Sequence, residues 1–376
     1  MYRSFQLRSL ENYIGHTDIE VVNILPSYMI EADIRFSSGG DCVNIKELSD
    51  IFTKTYHTND VFLITISDAV IGPRAIGTPR YWPVLFKGGY IRDFINPMAM
   101  NKLHEQGVLE VASDFSSINI LRNDIEFQHI RGKSIWIYVF GNIDHFYRES
   151  LPILQALKEI QTDLNAYNIV ISSDRDEAGL KEFIEIIKLY GVNVEQIVIA
   201  KNGWLRFDSL LTMNFSALGH LHTPGKFYLD TCEYIRNSIV TNTHFSPSKI
   251  FVSRKYAHQR RIDNEDELSA FFSSEGFFVC DPGEYSISEQ VSLFANAKII
   301  VGIHGMGLAN SCFADKLTLL MEIMFSEWNR VSYFRTAQIK NSKYAIYWLK
   351  PSQDGVVKIN MEAFKLFYHS IDKLNG

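Results

Sequence analysis

The sequence contains 376 residues (43.2 kDa), of which 46% are apolar and 21% charged, with a formal net charge of −6 and an isoelectric point near 6.0. A chain of this length exceeds one typical domain, so we predict two domains that each bury a core. The acidic balance provides no sequence-wide attraction for phosphate backbones, and no local basic patch compensates for it. Nucleic acid is therefore excluded as an expected partner.

The four cysteines, Cys42, Cys232, Cys280 and Cys312, are far apart and form no CxxC pair. This pattern indicates neither a zinc site nor a disulfide framework and is typical of reduced, cytosolic thiols. The N-terminal segment MYRSFQLRSLENYIGH has no apolar run of signal-peptide length, and no window approaches the roughly 18 apolar residues of a membrane-spanning helix. We expect a cytoplasmic protein that is at most peripheral to the inner face of the membrane.

Residues 1–130 are predicted to be rich in strands. Short alternating or β-branched runs such as EVVNILPSYMI and VFLITISDAV are separated by glycine and proline clusters. The segment GPRAIGTPRYWP, residues 72–83, is predicted to be a turn-rich loop. This region forms the first part of a predicted N-terminal, acceptor-side domain, residues 1–225.

Strands and helices alternate over residues 131–225, the second part of that domain. SIWIYVF is a predicted strand, a helix follows to about Ile160, and NIVIS and QIVIA are further strands. The helix EAGLKEFIEIIKLYGV carries an apolar face and is expected to end at Gly191. This order is typical of a parallel α/β layer.

A second α/β alternation defines the predicted C-terminal domain, residues 226–350. KIFVSR, FFVC, KIIVG and TLLMEIM are predicted strands, and DNEDELSAFFSSEG and SISEQVSLFANA are predicted helices. Capping boxes are expected at Asn264 with Glu267 and at Ser286 with Glu289. Residues 351–376 are predicted to form a strand and a helix that can pack back on the N-terminal domain.

The stretch IIVGIHGMGLANSCFAD, residues 299–315, places a glycine-rich loop after one of these strands. Ligands of open α/β sheets bind beyond the carboxyl ends of the strands. Glycines at 302, 305 and 307 would let the backbone approach a phosphate, and LANSCF is expected to continue as a helix whose first amides favour an anion. His304 can contact a diphosphate, although a tight turn with a structural histidine explains the loop equally well.

Basic and acidic side chains follow the neighbouring strands. Arg254 lies at the end of KIFVSR, and Arg260 and Arg261 come shortly after it. Guanidinium groups match phosphate oxygens bidentately, so these arginines are candidate diphosphate ligands; Arg260 and Arg261 equally fit solvated surface charges. Glu322 in LLMEI is a candidate ligand of a nucleoside, with an ion pair to a nearby arginine as the alternative.

The segment GNIDHFYRESLPIL supplies candidate general bases. His145 and Glu149 are four residues apart and share a face if the segment is helical, but Pro152 either delays or bends the helix. Asp144 is a third candidate base, and a helix N-cap is its alternative role.

A metal site is a competing interpretation of NIVISSDRD. Asp174 and Asp176 form an Asp-x-Asp pair that could hold Mg²⁺ or Mn²⁺ with a nucleotide diphosphate. The same acidic residues also suit the start of the following helix, which we consider their expected role.

With these segments described, the chain resembles glycosyltransferase family 61. GNIDHFYRESLP looks like the family's block of His, Glu and Leu-Pro, and VSRKYAHQRRIDNEDEL is similar to its Ser-Arg block. SEQVSLFANAKIIVGIHGMGLANSCF resembles its Glu-Gln helix and His-Gly-x-Gly-Leu-x-Asn loop, and LLMEI its closing strand. The blocks span residues 141–323, and Met306 and Asp144 depart from the residues that the family more often has there.

The resemblance implies an α/β fold of two Rossmann-like domains facing a cleft, the GT-B type, here with extra N-terminal strands. It implies inverting transfer from a nucleotide-sugar, for which we expect a UDP-sugar, onto an oligosaccharide or lipid-linked acceptor of a bacterial capsule, O-antigen or similar glycan. Arg254, His304 and the loop of Gly305, Met306, Gly307 and Asn310 would hold the diphosphate, and Glu322 the nucleoside. His145, with Glu149 as its partner or alternative, would be the base.

The resemblance also leaves two alternatives. Enzymes of this fold generally stabilise the leaving group with basic residues and helix dipoles, so we expect no obligatory Mg²⁺ or Mn²⁺. A catalytically silent carbohydrate-binding protein of the same fold and a metal-dependent transferase that uses Asp174 and Asp176 remain as alternatives. The donor sugar, the acceptor hydroxyl and the oligomeric state do not follow from the sequence.

Overall fold

The computed structural model describes residues 4–8, 17–31, 36–40, 52–73, 84–86, 89–91, 97–121, 125–139, 142–173, 175–201, 203–214, 223–240, 245–257, 259–326, 330–351 and 357–372. The chain divides into two compact units. Unit 1 contains Met1–Tyr28 and Asn59–Leu218, and unit 2 contains Met29–Thr58 and Gly219–Gly376. The chain therefore contributes an early segment to unit 2 before it completes unit 1.

Strands and helices alternate through most of the described chain. The strands are β1 (Ser4–Arg8), β2 (Ile19–Leu25), β3 (Met29–Glu31), β4 (Phe36–Gly40), β5 (Thr55–His57), β6 (Val61–Ile71), β7 (Val84–Phe86), β8 (Gly89–Ile91), β9 (Leu109–Val111), β10 (Ser117–Ile120), β11 (Phe127–Val139), β12 (Asn168–Ser173), β13 (Ile197–Ile199), β14 (Trp204–Met213), β15 (Lys249–Val252), β16 (Phe278–Cys280), β17 (Ile299–Ile303), β18 (Leu319–Phe325) and β19 (Lys343–Leu349). The helices are α1 (Pro97–Glu105), α2 (Ile143–His145), α3 (Pro152–Glu159), α4 (Glu177–Lys188), α5 (Lys226–Ile239), α6 (Glu265–Ser274), α7 (Ile287–Phe294), α8 (Ser332–Ile339) and α9 (Met361–Asp372).

Unit 1 is built on one mixed sheet with the strand order β13-β12-β11-β14-β6-β7-β8-β1-β10-β9, and β2 pairs with β6 beside this path. The strands β13, β12, β11 and β14 are parallel, as the alternation of residues 131–225 predicts. From β6 onward most pairs are antiparallel, and they come from the strand-rich N-terminal region. The predicted run EVVNILPSYMI divides at Pro26 into β2 and β3, which belong to different units.

Unit 2 contains a six-stranded parallel sheet with the order β16-β15-β17-β18-β19-β4. One face packs on α6 and α9: the ring of Phe251 on β15 stacks on Phe272 of α6 at 4.6 Å, and Tyr347 on β19 meets Phe364 of α9 at 5.0 Å. Helix α8 contacts β18 and β19 as well. Strands buried on both faces explain the nearly continuous apolar runs IIVGI and LLMEIMF.

The α/β class is confirmed, and each unit has its own sheet and core. Residues 29–58, which we assigned to the N-terminal domain, group instead with unit 2, because β4 extends its parallel sheet beside β19. The C-terminal helix α9 also packs on the core of unit 2. Most of the predicted loop of residues 72–83 lies outside the described residues.

Local signals fixed several helix ends. Gly191, with φ of 83°, follows α4, where a left-handed residue ends the helix without the strain of a β-carbon. The capping box of Ser286 and Glu289 is confirmed at the start of α7. The one predicted at Asn264 and Glu267 is wrong, because the Asn264 amide bonds both backbone groups of Ile359, each at 3.0 Å, and thereby ties α6 to the segment before α9.

The described ranges contain no helix that is long and apolar enough to cross a membrane. Cys232, Cys280 and Cys312 are buried and unbridged, and Cys42 lies outside the described residues. Burial raises the pKa of the Cys280 thiol to about 12, so this side chain behaves as a small apolar group.

Replacing Asn264 with alanine is expected to destabilise the protein by about 2 kcal/mol, because it leaves two partly buried backbone groups of Ile359 without their partner. Urea unfolding measures the effect. Asn237→Ala, on the exposed side of α5, is the control and is expected to change the free energy of unfolding by less than about 0.5 kcal/mol. Equal stability of Asn264→Ala and the wild type would contradict this role.

Candidate functional site

The strand order of unit 2 reverses between β15 and β17. From β15 the chain moves outward to β16 at one edge, and then returns to the other side of β15 to form β17, β18 and β19. The carboxyl ends of β15 and β17 therefore diverge into loops at a topological switch point, where open α/β sheets bind ligands. Arg254 follows β15 and His304 follows β17, so both candidate phosphate-binding residues lie at this point.

The glycine-rich loop continues into a 3₁₀ helix, Met306–Phe313, and not into the expected α-helix. Two of its glycines let the loop pack tightly. A β-carbon at Gly302 would lie 2.8 Å from Cβ of Val252, and one at Gly307 would lie 2.7 Å from Cγ1 of the same valine. These two glycines thus bring the loop against β15, which is a packing requirement and not by itself a sign of a ligand.

Gly305 has a different neighbour. A β-carbon at this position would overlap the guanidinium of Arg254, whose Nη1, Cζ and Nε atoms are its three nearest neighbours. Position 305 therefore needs glycine because the cationic head of Arg254 lies across the loop backbone. The first amides of the 3₁₀ helix begin at the same place, so a positive side chain and helix-start amides converge there.

Arg254 is held at both ends. Its backbone N–H donates to Oε1 of the buried Glu265 at 2.7 Å, and the same oxygen accepts from the hydroxyl of Ser253 at 2.7 Å. At the other end Nη2 donates to the carbonyl of Gln259 at 3.1 Å. Among the described residues Arg254 forms no ion pair with a carboxylate, and its Nε atom is buried without an acceptor.

A second arginine lies close to the first. Burial lowers the pKa of Arg254, and the neighbouring charge of Arg260 lowers it further; burial also lowers the pKa of Arg260. Arg260 has a φ of 58°, a conformation that a non-glycine residue adopts at some cost. Two half-buried cations that repel one another would both be stabilised by an anion between them. Arg261, in contrast, is exposed.

His304 is buried beside β18 and β19. Its Nδ1 atom hydrogen-bonds Oε1 of Glu322, and the hydroxyl of Tyr344 donates to Oε2 of the same carboxylate. Glu322 is fully buried and engaged through both oxygens. The ring of Tyr333 lies 5.5 Å from the imidazole, and its hydroxyl donates to the carbonyl of Gly305 at 2.7 Å.

The remaining loop residues have two kinds of environment: Asn310 is buried and supports the loop, and Met306 faces the solvent. Asn310 is fully buried, and its amide donates to Oε1 of Gln290 at 2.8 Å and to the carbonyl of Gly307 at 3.2 Å. It therefore fastens the loop to α7. Met306 is 45% exposed and is the loop side chain that is most open to solvent.

The candidate bases of unit 1 follow β11, where the order of its parallel strands also reverses: β12 and β13 lie on one side of β11 and β14 lies on the other. Nδ1 of His145 hydrogen-bonds Oε1 of Glu149 at 2.7 Å, and both side chains are buried. The predicted pairing of these two residues is thus present within unit 1.

A π-helical turn, Phe146–Ser150, connects α2 to α3. Pro152 is the first residue of α3, and the N–H of Leu151 reaches back five residues to the carbonyl of Phe146 at 3.0 Å. Proline lacks an N–H and would clash with the carbonyl of Arg148 in a regular helix, so the wider turn accommodates it. The wider turn therefore accommodates Pro152 without separating His145 from Glu149.

Asp144 does not have the alternative role of a helix N-cap, and it does not pair with His145. The cap is Asn142, whose side chain accepts from the N–H of Asp144 at 3.0 Å. Asp144 accepts from Nε of Arg148 at 2.6 Å, and both side chains are buried. The turn thus carries two interleaved i,i+4 pairs, Asp144 with Arg148 and His145 with Glu149.

In the rival Asp-x-Asp segment, Asp176 caps α4 by accepting from the N–H of Gly179 at 2.8 Å, which is the role we expected. Asp174 lies outside the described residues.

Several residues of these clusters could not be identified from the sequence. Tyr344 is the second residue of the largely apolar run KYAIYWL, and Tyr333 and Glu265 lie on helices with no motif that distinguishes them. Arg148 was detectable, because it lies four residues after Asp144 in a helical segment.

A protein-family comparison matches the model of Glycosyltransferase 61 to residues 94–321. The match begins before β9 and ends at Met321, so it includes both the His145 turn and the glycine-rich loop, and Glu322 is the first residue after it. A search of curated proteins finds no match. Because the matched region covers more than half of the 376 residues, the chain belongs to glycosyltransferase family 61.

Proposed function

We propose that this chain is an inverting glycosyltransferase that transfers a sugar from a nucleotide-sugar, with a UDP-sugar as the expected donor, to a hydroxyl of a bacterial surface glycan. Its family supports glycosyltransferase activity. The observation that carries the donor assignment is the guanidinium of Arg254 lying across Gly305 at the switch point of unit 2. The acceptor is an oligosaccharide or lipid-linked glycan, handled at the cytoplasmic membrane face.

The donor side of the proposal rests on charge. A nucleoside diphosphate carries its negative charge where guanidinium groups and helix-start amides bind it best. Arg254 and Arg260 supply the guanidinium groups, and the backbone from Gly305 to Gly307 supplies the amides. When the bond between the anomeric carbon and the diphosphate breaks, its electron pair stays on the leaving group, and these same groups stabilise that charge. No obligatory metal enters the proposal.

We propose different roles for three residues that were candidate ligands, because their contacts and exposure favour other functions. Glu322 is buried behind His304 with both oxygens engaged, so we assign it to the imidazole and not to the nucleoside. Asn310 holds the loop from within, and exposed Arg261 is not included in the diphosphate site.

The base in this proposal is His145. An ionised Glu149 accepts a hydrogen bond from Nδ1–H, which leaves the lone pair of Nε2 on the neutral ring to accept a proton from the acceptor hydroxyl. The hydroxyl oxygen attacks the anomeric carbon opposite the diphosphate, its proton passes to Nε2, and the configuration at that carbon inverts. Asp144 is engaged by Arg148, so we assign it to the fold of the turn.

Arg254→Ala and His304→Ala are each expected to weaken UDP binding by about tenfold or more, since each removes a charge-assisted contact to phosphate. Isothermal titration calorimetry measures the affinity. Gly305→Ala is expected to do the same by displacing Arg254 while it retains every charge. Gly203→Ala, where an added β-carbon meets no atom within 4 Å, is the control for the glycine substitution. Unchanged affinity in all three site variants would overturn the donor assignment.

His145→Ala is expected to lower turnover by about 10²–10⁴-fold, the usual contribution of a general base, with little change in UDP affinity. Slow hydrolysis of the donor provides the assay, because water replaces the acceptor hydroxyl. Asp144→Asn, which breaks a buried ion pair in the same turn, is expected to reduce stability by about 3 kcal/mol and to retain turnover in the folded protein. If Asp144→Asn were inactive and His145→Ala active, the two assignments would be reversed.

Donor hydrolysis with and without a chelator tests the metal-independent mechanism. The donor is first chosen from a panel of nucleotide-sugars by thermal stabilisation, because a ligand that binds only the folded state raises its apparent stability. We expect equal rates in both conditions. Chelator-sensitive hydrolysis would favour a metal-dependent transferase with Asp174 and Asp176, and a donor that binds without turnover would favour a catalytically silent relative.

A further inference from the structure

Three side chains from neighbouring elements of unit 2 form a buried chain of hydrogen bonds beside the glycine-rich loop. His304 follows β17, Glu322 lies within β18, and Tyr344 lies within β19. The register pairs Glu322 with Gly302 on one side and with Ile346 on the other, so the strands themselves bring the three side chains together. Tyr344 and Glu322 have relative exposures of 1% and 0%.

The direction of the hydrogen bonds follows from the chemistry of the groups. An ionised carboxylate only accepts, so Nδ1 of His304 and the hydroxyl of Tyr344 both donate to Glu322. Burial and the adjacent carboxylate raise the pKa of Tyr344 well above its usual value, which keeps its proton in place. One ring proton of His304 is therefore held on Nδ1, on the side of Glu322.

Tyr344, the last residue of this hydrogen-bonded chain, is held in place by aromatic packing. The ring of Phe334 on α8 meets Tyr344 edge-on at 5.2 Å, and the ring of Phe52 stacks on it at 6.3 Å. Phe52 belongs to the early segment of the chain that joins unit 2. A hydroxyl held this firmly is suited to orient a carboxylate, and a buried carboxylate without its donors would be costly.

We propose that Tyr344 and Glu322 are positioning residues that hold the imidazole of His304 in the orientation in which its Nε2 atom faces the donor diphosphate. With Nδ1–H bonded to Glu322, the form of the ring that donates Nε2–H to a phosphate oxygen is the imidazolium, whose charge the carboxylate offsets. This inference rests on the proposed donor site. It adds to that site two residues that do not touch the ligand and act only through the ring of His304. The charged and titratable groups around the ring are Glu322 and Tyr344 from the strands, Tyr333 from α8, and Arg260 from the loop after β15, whose charge acts on both Glu322 and Tyr333.

The test combines two measurements on the full-length protein carrying ¹⁵N-labelled histidine. Nitrogen and proton NMR signals of the His304 ring, assigned by comparison with His304→Asn, report which ring nitrogens carry protons. Titration calorimetry with UDP reports the affinity. Tyr344→Phe removes only the hydroxyl, and Tyr347→Phe is the matched control, because it makes the same change on the opposite face of β19, where Tyr347 packs on Phe364.

We expect the wild-type ring to be protonated at Nδ1, and Tyr344→Phe to shift that signal and weaken UDP binding by about five- to tenfold. Glu322→Gln, which keeps an acceptor oxygen, is expected to retain more affinity than Glu322→Ala, and Tyr347→Phe to match the wild type in both measurements. An unmoved ring signal in Tyr344→Phe overturns the proposal, whether or not the affinity falls, and so does an unchanged affinity. If the wild type bound no UDP while the ring signal still moved, the donor assignment would fail and the positioning of the ring would stand.

Discussion

The close approach of the Arg254 guanidinium to the backbone of Gly305 is the constraint on which the site in unit 2 depends. It requires three things of the fold at once: β15 and β17 must be adjacent and parallel, the loop after β17 must lie against Val252, and residue 305 must lack a side chain. Each requirement is met by a different part of the sequence. The result is a cationic surface on a helix-start backbone, in a position where the sheet leaves room for a ligand.

Buried carboxylates support this surface from below. Glu265 receives the backbone N–H of Arg254, and Glu322 receives Nδ1 of His304. Neither carboxylate is exposed, and each holds a basic residue by hydrogen-bonding one of its nitrogens. Unit 1 contains a similar arrangement, since the buried carboxylate of Glu149 hydrogen-bonds Nδ1 of His145. In both units a buried carboxylate hydrogen-bonds Nδ1 of a histidine that follows a central strand and thereby orients its ring.

Much of this architecture was predictable from the sequence, because hydrophobic periodicity and the backbone preferences of glycine and proline determine structure over only a few residues. The parallel strands, the helix end at Gly191, the Ser286 capping box and the His145–Glu149 pair all follow from spacing within a few residues. Predictions failed where a distant segment intervened. Asn264 binds Ile359 and does not cap its helix, and residues 29–58 join unit 2, since neither partner is near in sequence. Tyr344 was missed because strand register, which the sequence does not display, brings it to Glu322.

Hydrogen–deuterium exchange of the protein with and without UDP tests the central claim, that the nucleotide binds at the switch point of unit 2. The account predicts slower exchange in peptides that contain Ser253–Arg261 and Ile303–Asn310, with no comparable change elsewhere. Protection centred instead on residues 173–177, around the start of α4, would contradict it and would place the diphosphate beside the Asp-x-Asp segment.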